Sequence, residues 1–367
     1  MRILIVSHPP LQPRYGAAQV ALNLAAALAG RGHDAQAWSP EPLPAGTRWW
    51  ELSWRQRQSL ERFVESAGPF DVIDTPAISL SPRVARAGLA VARSVQPELL
   101  YMKQALLSQL RRGSGISLPR ALAHAAQNTV AAAAILAGWR RGRAIFCQGS
   151  RELAWMRHNF PRWAGKLRCW APAPSPDEQA AFADIRCRRH TPPPDAGLRF
   201  LWLGRWVAHK GTASLVAFLR ERAALRPRDT FTLAGCGPAA ARDCPEDLVA
   251  SGRIRIIPGY SREELPALLA AHDAGLFTSE VEGWGLTLNE MLESGLTVYA
   301  TKAGGADDLQ PFWEDRLKPF PPPLDPILPA GPIPAPAEYM GVFTWPAIAR
   351  RYEEDLIAVT RASGERI

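Results

Sequence analysis

The chain has 367 residues, 47% of them hydrophobic and 21% charged, which suits two soluble globular domains and is too long for one typical core. A net charge of +8 allows an anionic partner, but no helix-turn-helix, zinc or RNA-binding signature accompanies it, so nucleic acid is not expected. The five cysteines (147, 169, 187, 236 and 244) are odd in number and lack ligand spacing, implying neither a disulfide framework nor a metal site and pointing to a reduced cytoplasm.

The opening residues 3–6 read as a short apolar strand running into His8-Pro9-Pro10, with no secretory h-region or cleavage site. The loop Pro13-Arg14-Tyr15-Gly16-Ala17-Ala18 follows, and Leu22-Asn-Leu-Ala-Ala-Ala-Leu continues as a helix. In an open parallel sheet the ligand lies beyond the carboxyl ends of the strands, so Gly16 and, at a turn, His8 are cleft-edge candidates. Trp49, Trp50 and Trp54 have two readings, stacking on sugar rings or packing, and packing is the commoner fate of such a cluster. Phe70-Asp71-Val-Ile-Asp74-Thr-Pro fits a strand, and Glu98-Leu-Leu-Tyr-Met-Lys103-Gln104 reads as the strand after it.

Arg83, Arg86, Arg93, Arg111, Arg112, Arg120, Arg140, Arg141 and Arg143 make this half basic. That suits an anionic lipid surface or simply a well-solvated face. Ala121–Trp139 is apolar but alanine-dominated and carries His124, Gln127 and Asn128. A membrane span needs about 20 strongly apolar residues, so a packed helix is expected. Gly142–Leu153 reads as a strand followed by a serine-led helix. Prolines from Trp170 to Glu178 forbid helix and favour an extended linker, and a second irregular stretch runs from Arg186 to Ala196. The expected organisation is residues 1–170 as a first domain, 171–197 as linker, 198–342 as a second domain and 343–367 as a terminal helix, with Thr344 as N-cap and Pro346 in its first turn.

The second domain holds the chemistry. Phe200-Leu-Trp-Leu-Gly204-Arg205 is an apolar strand ending in glycine, followed by two cations, Arg205 and Lys210, before Gly211. Phe231–Pro238 repeats the strand-plus-glycine pattern. Ser279-Glu-Val-Glu282-Gly283-Trp284-Gly285-Leu286-Thr-Leu-Asn-Glu290 sets two carboxylates eight positions apart around a Gly-Trp-Gly turn and the start of a helix over 286–294, with Gly295 as its stop. Glycines admit close approach of the backbone, and a helix start offers free N–H groups to an anion. Paired acceptors beside such a pocket suit a nucleotide-linked sugar. Leu296–Asp308 supplies another strand and the pair Gly304-Gly305. A proline-rich stretch, 318–336, is expected to wrap along the surface.

In the order and spacing of these motifs the chain resembles the retaining glycosyltransferases of group 1, also called glycosyltransferase family 4. The resemblance runs over most of the chain and is strongest from about 198 to 309. It implies α/β architecture of the GT-B type, two Rossmann-like domains with parallel sheets facing across a cleft. It also implies a nucleotide-diphosphate sugar donor, a saccharide or lipid-linked acceptor, retained configuration, and no resident cofactor or metal. Arg205 and Lys210 then fall on the diphosphate, Glu290 on the ribose hydroxyls and Glu282 beside the donor sugar or diphosphate. Gly204, Gly283, Trp284, Gly285 and Leu286 line the donor, Gly16 approaches its phosphates, and Gly304 and Gly305 close around its sugar. The resemblance implies bacterial cell-surface polysaccharide synthesis, at the inner face of the membrane. Two departures stand out: Gly16-Ala17 replaces a glycine pair, and where many relatives place histidine after first-domain strands this chain has Asp74 and, in Glu98–Gln104, no histidine, so the resemblance makes Asp74 and Lys103 further cleft candidates for the donor or acceptor. These departures leave a non-catalytic nucleotide-sugar-binding relative open, and a sugar phosphorylase of the same plan is a second alternative. An oxidoreductase is disfavoured because no Gly-x-Gly-x-x-Gly follows the first strand.

Overall fold

The computed structural model describes residues 1–42, 47, 49–95, 97–111, 118–190, 192–193, 196–326, 328 and 334–363. The chain divides into two compact units. Unit 1 comprises Met1–Pro172 and Phe343–Ile367, and unit 2 comprises Ala173–Val342.

In chain order unit 1 runs β1 (Arg2–Val6), α1 (Gly16–Ala29), β2 (Asp34–Trp38), α2 (Trp49–Ala67), β3 (Val72–Thr75), β4 (Leu89–Arg93), α3 (Glu98–Arg111), α4 (Leu118–Arg141), β5 (Ala144–Gln148), α5 (Gly149–Asn159) and β6 (Leu167–Trp170). Unit 2 continues with α6 (Pro176–Cys187), β7 (Arg199–Leu203), α7 (Thr212–Leu225), β8 (Thr230–Ala234), α8 (Ala240–Asp243), α9 (Glu246–Ala250), β9 (Ile254–Ile257), α10 (Leu265–Ala270) and β10 (Ala274–Phe277). It closes with α11 (Leu286–Glu293), β11 (Thr297–Ala300), α12 (Ala306–Leu309), β12 (Leu317–Pro319) and α13 (Ala337–Val342). The last helix, α14 (Trp345–Ser363), returns the chain to unit 1.

Each unit has the expected Rossmann-like parallel sheet of six strands, ordered β2-β1-β3-β4-β5-β6 in unit 1 and β12-β11-β10-β7-β8-β9 in unit 2. All pairings are parallel. The central strands read as continuous apolar runs because both faces are covered: Ile3, Leu4, Ile5, Phe200, Leu201 and Val298 are wholly buried. Complete burial of such side chains contributes roughly 1.5–3 kcal/mol each.

Unit 1 carries a buried ionic knot across its sheet. Arg93 Nε donates to Asp74 Oδ1 at 2.7 Å, and its Nη2 donates to the Val6 carbonyl at 2.9 Å. Tyr352 of α14 donates to Asp74 Oδ2 at 2.5 Å, and its ring packs 4.9 Å from that of Phe146. Arg31 and His33 grip Glu353 on the same helix. A helix joined to the first 172 residues only through unit 2 is thus tied to unit 1 by charge as well as by packing.

Four sequence expectations change. Glu98–Gln104 is the first half of α3, not a strand; Pro97 stands before a first turn opened by the acid Glu98, as helix starts favour. The strand at 144–148, which the resemblance makes the last of the first domain, is not the last of unit 1, because β6 takes the edge beside it. Its helix α5 is not led by serine: Gln148 is the N-cap residue and its N–H is satisfied by Glu152 Oε2 at 2.7 Å. The linker is not extended throughout. Pro176 fits the first position of α6, where its missing N–H costs nothing, and Ser175 and Glu178 form a capping box.

Ala121–Trp139 lies within α4, which buries Ile135 and Trp139 while Val130 is 63% exposed. Among the described residues no helix is long and apolar enough to cross a membrane. Arg93 leaves the basic face for the core, whereas Arg83, Arg86, Arg140 and Arg143 are exposed. Arg112 and the side chains of Arg111 and Arg120 lie outside the described residues, as do those of Trp49 and Trp50; Trp54 is half-exposed.

Candidate active site

Unit 2 gathers its motif residues at the carboxyl ends of β7, β10 and β11, the edge where open parallel sheets bind ligands. The loop after β7 passes Gly204 and Arg205, makes a short turn at Ala208–Lys210 and enters α7 through Gly211, which has φ 68°. A Cβ on Gly211 would stand 1.9 Å from the Thr278 carbonyl oxygen, so only glycine lets the two loops touch. They are then laced together. Thr278 Oγ1 accepts from Trp202 Nε1 at 3.0 Å and donates to the Lys210 carbonyl at 2.7 Å, and Glu280 N donates to the His209 carbonyl at 2.8 Å.

This lacing puts Lys210 Nζ on Glu282 Oε2, an ion pair with both side chains less than a fifth exposed. Ser279 Oγ donates to the same oxygen at 3.1 Å. Arg205 is exposed; its carbonyl accepts from Val207 N at 2.9 Å, and its side chain makes no hydrogen bond or ion pair among the described residues. Burial, then the neighbouring Lys210, hold His209 below the usual imidazole range, which keeps it neutral near pH 7.

From Glu282 the chain turns through Gly283, Trp284 and Gly285 into α11. Gly285 is the N-cap residue and no side chain caps the helix, so N–H groups of the first turn remain unmatched by side chains. Two polar side-chain atoms of α11 are buried without a partner, Thr287 Oγ1 and Glu290 Oε2. They stand three residues apart, hence on one helix face. Glu290 is 1% exposed. Its other oxygen, Oε1, accepts from Arg262 Nη2 at 2.7 Å. Burial pushes the Glu290 carboxyl up, against the pull of Arg262.

Trp284 does not present its ring to a ligand. It is 2% exposed, and its Nε1 donates to Asn289 Oδ1 at 2.8 Å. Asn289 in turn donates to Tyr339, which donates to Glu293 Oε1 at 2.5 Å. Gly304 and Gly305 make room for this tryptophan: a Cβ on Gly304 would lie 2.4 Å from the Trp284 carbonyl oxygen, and one on Gly305 would lie 2.6 Å from its ring. The Gly305 N–H is spent on the Trp284 carbonyl at 2.8 Å. Trp284 and the glycine pair therefore shape the loop from behind. Leu286, at the helix start, is half-buried.

The unit 1 candidates do not assemble into a comparable cluster. Gly16 is exposed and opens α1. His8 follows β1 and its Nε2 shares a hydrogen bond of 2.7 Å with Ser79 Oγ. Burial, then the Arg93 guanidinium, hold it down to about 4, so it is neutral at pH 7. Asp74, expected at a cleft, is 0% exposed and consumed by Arg93 and Tyr352. Lys103 is exposed on α3, because its segment is a helix. The carboxyl edge of this sheet instead holds Glu152, which accepts from Ser94 Oγ and Gln148 N, each at 2.7 Å. Burial pushes Glu152 up to about 7, and burial together with Glu152 pushes Glu98 up to about 8.

Sequence reasoning passed over Arg262, Thr287, Glu98 and Glu152. Thr287 sits at i−3 from Glu290 inside the motif, and that spacing was a usable signal. Arg262 is 28 positions before Glu290 in a polar loop, and only the fold brings them together. Among the described residues no group of three or more His, Cys, Asp or Glu is placed to hold a metal ion.

Residues 197–312 match the family model of the glycosyl transferases group 1. A glycosyltransferase of Bacillus subtilis (strain 168), YqgM, is 32% identical over 118 residues, which is 30% of this chain and 32% of that protein. The chain thus aligns with about a third of the length of that relative. Among solved structures, sucrose-phosphate synthase from Thermosynechococcus elongatus superposes with a TM-score of 0.65 at 16% identity, covering 98% of this chain and 99% of that one. Anabaena Alr3699/HepE in complex with UDP and glucose gives 0.59 at 16% identity, covering 98% and 100%. WaaG, a glycosyltransferase involved in lipopolysaccharide biosynthesis, gives 0.59 at 14% identity, covering 99% and 100%. These likenesses show the fold, the two-unit α/β plan of GT-B proteins.

Proposed function

We propose that the protein is a glycosyltransferase that moves a sugar from a nucleoside-diphosphate donor to a hydroxyl of a saccharide or lipid-linked acceptor, with retention, in bacterial cell-surface polysaccharide synthesis. The observation that carries this reading is the face of α11, where Thr287 Oγ1 and Glu290 Oε2 are buried without partners beside an uncapped helix start. Buried polar atoms are ordinarily satisfied, so two orphans on one helix face, beside a helix start at the binding edge of a parallel sheet, support a ligand there. A nucleoside diphosphate supplies what each group lacks: phosphate oxygens for the helix N–H groups, Thr287, Arg205 and Lys210, and ribose hydroxyls for Glu290. The group 1 match over 197–312 and the UDP held by Alr3699/HepE support this choice.

In the step itself the bond between the anomeric carbon and the phosphate oxygen breaks, and the acceptor oxygen joins that carbon from the same face. The acceptor proton passes to the departing phosphate. The negative charge that develops on the diphosphate is met by Arg205, Lys210 and the helix start, and such stabilisation is commonly the largest single contribution to catalysis. Glu282 holds Lys210 in place and faces the sugar end. No step calls for a metal. In unit 1 Arg140, Arg141 and Arg162 surround one concavity with Leu136, Ala137 and Trp163. With no acidic side chain in that lining, it supports an anionic partner there, such as a lipid-linked acceptor or the membrane surface that carries it.

Thermal-shift measurements with UDP, GDP and ADP and their sugar conjugates test the reading. One nucleotide should raise the Tm of the wild-type protein. Lys210→Ala and Glu290→Ala should each weaken that nucleotide by about tenfold or more while the fold is kept. Wild-type shifts in both variants would overturn the site.

A further inference from the structure

Resting on the donor-site reading, the inference concerns how Glu290 is aimed. Arg262 lies in the loop between β9 and α10. Its Nη2 reaches Glu290 Oε1 at 2.7 Å and Glu178 Oε1 at 2.6 Å, and its Nε donates to that same Glu178 oxygen at 2.7 Å. Glu178 is itself pinned, because its Oε2 accepts from Ser175 N at 2.9 Å in the capping box of α6. The guanidinium is therefore anchored on one carboxylate while it holds the other. A planar guanidinium held through both Nε and Nη2 of one edge has a fixed orientation, which a lysine ammonium on a flexible stem would lack.

The consequence falls on Glu290. One oxygen is occupied by Arg262 and the other is buried without a partner. Rotation of the carboxylate about its last bond would break the Arg262 contact, so the unpartnered oxygen is held in one orientation. Burial alone favours the protonated form of Glu290, and Arg262 opposes this. A protonated carboxyl offers a donor where a sugar diol needs an acceptor. Burial likewise disfavours the charge on Arg262, but Glu290 and Glu178 outweigh it and hold the guanidinium above its ordinary range. The two charges sustain each other, with Tyr260 beside them.

We infer that Arg262, anchored by Glu178, is the positioning residue that turns the open oxygen of Glu290 into an acceptor for the ribose diol, so that the protein selects ribonucleotides over nucleotides lacking those hydroxyls. Three residues that are remote in sequence, one of them in the capping box of α6, thus decide a property of the donor pocket.

Calorimetric titration of the full chain with UDP, GDP and ADP, each paired with its 2′,3′-dideoxy counterpart, tests this. The wild-type protein should prefer the ribose form of its nucleotide by about tenfold or more, the worth of hydrogen bonds to a charged acceptor. Arg262→Met should bring that ratio to within about twofold while leaving dideoxy affinity nearly unchanged. Raising the pH should restore part of the preference as Glu290 ionises. Arg262→Lys and Glu178→Gln keep more of the local charge, and each should give an intermediate ratio, which keeps the test decisive where the methionine variant fails to fold. An unchanged ratio in the folded variants, or an equal loss for both nucleotide forms, would overturn the inference. A wild-type protein that binds ribose and dideoxy forms equally would sink the inference alone. One that binds no nucleoside diphosphate would sink the donor-site reading and the inference with it.

Discussion

The two sheets end in the same way and use their carboxyl edges differently. In unit 1 the charged groups and the histidine at that edge are spent on partners within the unit: Asp74 on Arg93 and Tyr352, Glu152 on Ser94 and the Gln148 N–H, and His8 with Ser79; the orphans there, Thr75 Oγ1 and Trp170 Nε1, stand singly on different strands. In unit 2 the same edge leaves Thr287 Oγ1 and Glu290 Oε2 together on one helix face, buried and unmatched, and the Arg205 side chain exposed without a hydrogen bond or ion pair among the described residues. A parallel sheet makes an edge suited to ligands, but side chains decide whether it is open. Satisfied polar groups stabilise the fold, whereas orphaned ones wait for something else to satisfy them.

The largest expected effect breaks the satisfied network of unit 1. Asp74→Ala leaves Arg93, 1% exposed, without its carboxylate and Tyr352 without its acceptor. Loss of one partner of a buried pair costs roughly 3–5 kcal/mol. Urea unfolding should show that loss, and any folded protein should bind nucleotide as before. A small stability change together with lost nucleotide binding would instead move Asp74 into the ligand site.

A smaller effect reads the closed edge through pH. Glu152 has its folded value raised to about 7 from an ordinary carboxyl value, chiefly by burial. A group raised on folding holds its proton more tightly in the native state. Its contribution is therefore complete below the unfolded value and is lost as pH rises through about 7. Glu98, raised to about 8, extends the loss to higher pH. Between pH 5.5 and 8.5 the change traceable to Glu152 is on the order of 2 kcal/mol at most. Glu152→Gln can keep both hydrogen bonds without titrating, so its Tm should fall less over this range. Parallel pH profiles of variant and wild type would show that Glu152 is not the cause.

The same contrast explains what was legible in the sequence. In unit 2 the functional groups lie beside glycines and helix starts whose spacing is local: Gly211 before α7, Gly285 before α11, Glu290 on its second turn. Local geometry is what sequence patterns encode. Strands β1, β3, β5, β7, β8 and β11 and the packed helix α4 were legible for the same reason. The span 98–104 was misread because a short apolar run of Leu, Leu, Tyr and Met does not tell helix from strand. Asp74 was misread because its partners are a strand neighbour 19 positions away and a helix 278 positions away. Trp284 looked like a ligand contact because a tryptophan between glycines is exposed or enclosed only by virtue of the later turn at Gly304-Gly305.

The smallest expected effect on stability tests the open edge most sharply. Thr287→Val keeps the branched shape and removes only the hydroxyl, which is buried without a hydrogen bond. Removing a polar group that has already lost water and gained nothing leaves stability unchanged or raises it, by no more than about 1 kcal/mol. Affinity for the nucleoside diphosphate should move the other way and fall by about tenfold, because the hydroxyl then has no phosphate oxygen to meet. Denaturation and calorimetry on one preparation measure both. A valine variant that is less stable, with nucleotide affinity intact, would mean that Thr287 is satisfied inside the protein as Glu152 is. The face of α11 would then be as closed as the Glu152 site of unit 1. Opposite signs in the two measurements are what an open edge requires, since a group that serves the ligand is the one group the empty fold can lose without cost.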